Sequence, residues 1–145
     1  MRTTRILASL AVAFLGTVAF AGCSQTPAAD DSFEDTIPAA LQASDLGITE
    51  AFADKGVDGL TTHIMVGATF DRSELSTADV KKFVSLIVAN NTVSVRYLLL
   101  VPEDPDGEEI DIVPQLEELG ADPTYGTWLQ ITLDEAVAIA EGKTP

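Results

Sequence analysis

The chain carries one thiol, Cys23, and one imidazole, His63. A lone imidazole cannot assemble a multi-histidine metal site, and with a single cysteine no zinc ligand set is available. A Ser-His-Asp hydrolase would need a positioned nucleophile, yet no G-x-S-x-G turn is present. Period-two alternation also turns His63 to the polar side of its strand. Gly56 and Gly59 are too few and too isolated to cradle a nucleotide phosphate. No cofactor is expected.

Carboxylates are the abundant reactive groups. Six of them fall within Glu103–Asp111, and hard oxygen ligands of this kind suit a calcium ion. Glu103, Asp104, Asp106, Glu108 and Asp111 are the candidate cation ligands. Aligned as an EF-hand loop with Gly107 sixth, the stretch places Asp106 fifth and Asp104 third, but Pro102 first and Val113 twelfth. The outer ligands are missing, and Pro105 with Gly107 equally suits a solvated turn. No metal site is therefore assigned. Carboxylate pairs of the kind that hydrolyse glycosides are inevitable among 23 acidic residues and so carry no information. Tyr125 and Trp128, in the segment Tyr125-Gly126-Thr127-Trp128, are candidate contact residues for a ligand or partner.

What positions these groups starts with the address. Arg2 and Arg5 precede a run from Ile6 to Gly22 without a charge, the layout of an export signal. The small residues Ala21 and Gly22 before Cys23 suit peptidase cleavage rather than a retained span. Phe20-Ala21-Gly22-Cys23 resembles the bacterial lipobox, with Phe20 where Leu is commonest. That resemblance implies a diacylglyceryl group on the Cys23 thiol, and two or more acyl chains give stable anchoring. Signal and lipobox together resemble the small membrane lipoproteins of high-GC Gram-positive bacteria that have no assigned activity. They imply a location at the extracytoplasmic face of the cell membrane.

Residues 1–22 are read as the signal peptide, 23–36 as a disordered acidic tether and 37–145 as one domain. Once the signal is removed, six basic residues face all 23 acidic ones, a charge of −17. Such a surface repels phosphate backbones, which excludes nucleic acid as a partner. The solitary cysteine rules out an internal disulfide.

Within the domain, a short helix near 38–45 and a strand near 48–55 are expected, with Gly56-Val57-Asp58-Gly59 as a hairpin turn. Leu60, Ile64, Val66, Ala68 and Phe70 share one parity of the next strand. Ser76-Thr77-Ala78-Asp79 has the form of a capping box before a helix ending at Asn90-Asn91. Val93–Val101 is apolar on both parities and should be a central strand, burying Leu99. A short helix capped by Asp111 and closed by Gly120 follows, then a strand over Thr127–Ile131 and a helix capped at Thr132. Ile131–Ala140 resembles the opening helix of PepSY modules, though it is read as an ordinary capped helix. The result is an α+β domain, one small mixed sheet with helices packed on it.

The reading that emerges is a non-enzymatic lipoprotein binding a protein or envelope component. An extracytoplasmic enzyme using carboxylates and a divalent-cation-binding lipoprotein are the alternatives. Replacing Cys23 by Ser removes the thiol that forms the thioether, so Cys23→Ser should end incorporation of a fatty-acid analogue. A variant that still carries label in the detergent phase would overturn the lipobox reading.

Overall fold

The computed structural model describes residues 31–143. The expected export segment, Cys23 and the expected tether up to residue 30 lie outside them. The elements run α1 (Phe33–Gln42), β1 (Ile48–Asp58), β2 (Thr61–Phe70), α2 (Thr77–Asn90), β3 (Tyr97–Glu103), α3 (Val113–Glu118), β4 (Thr124–Tyr125), β5 (Leu129–Thr132) and α4 (Leu133–Glu141). The strands form one mixed sheet in the order β1-β2-β3-β5-β4, with β2 parallel to β3 and the other neighbours antiparallel. Helix α2 makes the crossover that parallel pairing requires. The domain is α+β, as expected.

Both expected capping boxes form. Ser76 Oγ accepts the Asp79 N–H at 3.2 Å while Asp79 Oδ2 accepts the Ser76 N–H at 3.0 Å. Thr132 and Glu135 repeat the exchange at α4. Each box satisfies amide donors that the first turn of a helix otherwise leaves without partners. Val80, Phe83, Val84 and Ile87 form the buried face of α2. They pack with Phe33, Ile37 and Leu41 of α1 and with the parity of the strands that holds Ile64, Val66, Leu98, Leu100, Leu129 and Ile131. One apolar core thus lies between the sheet and the helices, on one face of the sheet.

Several boundaries differ from expectation. The folded part begins at Phe33 rather than 37: Phe33 and Ile37 are fully buried, so α1 takes in residues assigned to the tether. Strand β1 runs through Gly56 and Val57 to Asp58, and the turn is Gly59-Leu60, with Asp58 paired to Thr61. Gly59 holds φ +60°, a conformation open to glycine at little cost. Leu60 therefore leaves the apolar parity and stands in solvent at 105 % relative exposure. Val93 and Val95 precede β3, which continues through Pro102 to Glu103. Gly126–Trp128 form a loop, because β4 folds back on β5 and delays that strand to Leu129.

Strand β3 is central, with Leu98 and Leu100 in the core. Leu99, however, is only partly buried and faces the opposite side, in register with Met65 and Gln130. An unpaired carboxylate in the core costs several kcal/mol against a total stability of about 5–15 kcal/mol. Leu100→Asp should abolish the cooperative melt followed by circular dichroism, whereas Leu99→Asp should keep it. Equal loss of folding in the two variants would contradict this assignment of faces.

Candidate binding face of the sheet

Because side chains alternate along a strand, the residues between the core positions all point to the other face, and no described helix covers that face. On β1 these are Glu50, Phe52, Asp54, Gly56 and Asp58, and on β2 they are Thr61, His63, Met65, Gly67 and Thr69. Strand β3 adds Tyr97, Leu99, Val101 and Glu103. A bulge between Ile48 and Glu50 sets the parity of β1, so Ile48 enters the core while Phe52 turns outward.

Two cross-strand pairs shape this face in the same way. Phe52 folds over Gly67, and His63 folds over Gly56; a Cβ on either glycine would collide with the ring. The glycines are needed for that close approach. Val101, adjacent to Gly67, is buried without belonging to the main core.

A concavity of about 450 Å³ opens where β2, β3 and the β4–β5 loop meet, with Asp58, His63, Tyr97, Leu99, Trp128 and Gln130 among its walls. Trp128 remains 40 % exposed there. The loop is held from both ends. Gly126 N–H donates to the Trp128 carbonyl at 3.1 Å, and Gln130 Nε2 donates to Thr124 Oγ1 at 3.0 Å. Glu135 Oε1 accepts the Asp122 N–H at 2.9 Å, joining the α4 cap to the segment that leads into β4. Burial works against ionisation of Glu135, but hydrogen bonds from Thr132 and Asp122 outweigh it and hold the carboxyl below its usual range. A second concavity of about 270 Å³ lies further along β2, between Glu50, Phe52, Gly67, Thr69 and Glu103.

The acidic turn is a compact loop. Asp104 Oδ1 accepts the Asp106 and Glu108 N–H groups at 2.9 and 3.0 Å, and Ile110 N–H donates to the Pro102 carbonyl at 2.8 Å. Asp111 Oδ1 accepts the Val113 N–H at 3.0 Å, but the cap of α3 is Ile112, one residue later than the sequence suggested. Among the described residues no three or more His, Cys, Asp or Glu side chains are placed to hold a metal ion. Glu103 is separated from the others by its position on the outward face of β3.

The two candidate contact aromatics are also parted. Trp128 lines the larger concavity, while Tyr125 pairs with Leu129 at the sheet edge. There burial, together with the charges of Glu109 and Asp111, pushes the Tyr125 phenol above its ordinary value.

No family model, curated protein or solved structure matches this chain. The sequence pattern did not mark Phe52, Asp58, Tyr97 or Gln130 as site residues, and it placed Leu99 in the core. The available signal was the alternation of aromatic and acidic residues on the parity opposite the core, with glycines where rings cross.

Proposed function

We propose that this protein is a non-enzymatic, lipid-anchored binding module at the extracytoplasmic face of the cell membrane, and that the uncovered face of its sheet seats a protein or envelope component. The observation that carries the reading is a sheet with helices on one face only, whose other face holds two concavities walled by the exposed rings of Trp128 and Phe52. Exposed aromatics grouped on a shaped surface mark contact sites, because leaving them in water forgoes the stabilisation that burial would give. The cationic start, uncharged run and Cys23 support the anchor. The ring of His63 lies over Gly56 on this face and forms part of the wall of the larger concavity.

A photo-reactive amino acid at Thr127, on the rim of the larger concavity, tests this in the protein's own cells. The same group at Lys81, exposed on α2, is the comparison. Illumination should give discrete adducts, visible as slower-migrating bands, from position 127 and not from position 81. Adducts from neither position, or only from position 81, would contradict the assignment of the binding face.

A further inference from the structure

We infer that the uncovered face takes an extended basic segment of a partner protein, with two cationic side chains entering the two concavities; this rests on the binding-face reading above. The two concavities share one chemistry. The first is walled by the Asp58 carboxylate and the rings of Trp128 and Tyr97, and the second by Glu50, Glu103 and the ring of Phe52. An aromatic face next to a carboxylate suits a guanidinium or ammonium group, through the ring quadrupole and the opposite charge.

Charge is distributed to match. The outward strand positions carry Glu50, Asp54, Asp58 and Glu103 and no Lys or Arg, whereas Lys55 of β1 pairs with Ile64 on the other parity. Arg96 of this chain already lies over the Tyr97 ring, with Cζ 5.4 Å from its centroid, so Trp128 and Asp58 are the walls that meet the ligand's cation in the first concavity. An anionic or neutral occupant would meet four unpaired carboxylates on this face, and a basic one neutralises them.

The spacing fits one strand-like ligand. Thr61, His63 and Met65 of β2 border the first concavity, and Gly67, Ala68 and Thr69 the second. The midpoints are therefore offset by five residues of β2, roughly 16 Å at about 3.3 Å per residue. In an extended peptide, side chains at i and i+4 leave one side about 13 Å apart, and the flexible stems of two arginines span the remaining few ångströms.

The chain has one tryptophan, Trp128, so its emission reports this site alone. The probes are capped peptides titrated into the full-length chain in detergent at physiological salt, where charge attraction beyond about 8 Å is screened. They are Arg-Ser-Ser-Ser-Arg, Arg-Ser-Ser-Ser-Ser and Ser-Ser-Ser-Ser-Ser. The two-arginine peptide should give a saturable change and bind at least five-fold more tightly than the one-arginine peptide. Asp58→Asn and Glu103→Gln should each weaken it at least three-fold, while Glu117→Gln, exposed on α3, should leave it unchanged.

Equal binding of the all-serine peptide would overturn the inference, as would equal weakening by Glu117→Gln or no response to either arginine peptide. Adducts from position 127 in cells would then show that the binding face stands and only the ligand class is wrong. Absence of both adducts and peptide response would remove the two together.

Discussion

A β-strand presents alternate side chains to opposite sides, and here the helices pack on one side only. Everything distinctive about the molecule follows from that one-sided covering. Ile64, Val66, Leu98, Leu100, Leu129 and Ile131 are removed from water by α1, α2, α3 and α4, and this burial supplies the main stabilisation. The outward residues have no such cover. The face is closed in places by its own cross-strand contacts, as where Phe52 lies over Gly67 beside the buried Val101, and it stays open where Trp128 and Asp58 border the larger concavity. The same acidic alternation protects the sheet edge: β1 is a long edge strand, and Glu50, Asp54, Lys55 and Asp58 discourage strand-to-strand association.

The binding surface is consequently tied to the best-determined part of the fold. Met65, Tyr97 and Leu99 sit on the backs of the inner strands β2 and β3, whose fronts build the core, so their spacing is set by sheet register. Trp128 is in a loop, yet that loop is held by the β4–β5 pairing and, through Glu135 and Asp122, by the cap of α4. Rigid placement of aromatic and polar groups lowers the ordering cost of binding. The acidic turn contrasts with this. Asp104 spends its oxygen on the loop's own amides, and the neighbouring acids give the surface its charge.

Local chemistry was legible in the sequence. Ser76 with Asp79 and Thr132 with Glu135 announced two helices, because a capping box needs only residues three positions apart. The order of elements and the fold class followed. Register was harder to read. The run Leu98-Leu99-Leu100 gives no parity, and only pairing with Val66 and Ile131 on one side and Met65 and Gln130 on the other separates its members. The bulge at Ile48/Glu50 reverses the side on which Phe52 emerges. The start of helix α1 was hidden: Glu34 and Asp35 read as tether and the helix was expected near 38–45, although Phe33, Ile37 and Leu41 recur at helical spacing. A two-residue strand such as β4 has too little pattern to see. The candidate face was missed for the same reason as Leu99: its residues are defined by which side of the sheet they occupy.

The central claim, that this face is uncovered and electronegative in the free protein, is tested most directly by quenching the fluorescence of Trp128 in the full-length chain. Acrylamide should quench efficiently from an emission maximum typical of a solvated indole. At matched ionic strength, and with each quenching constant referred to that of free N-acetyltryptophanamide, caesium ion should be favoured over iodide because Asp58 and its acidic neighbours attract the cation. A blue-shifted emission resistant to all three quenchers, or a referred constant larger for iodide than for caesium, would contradict the account.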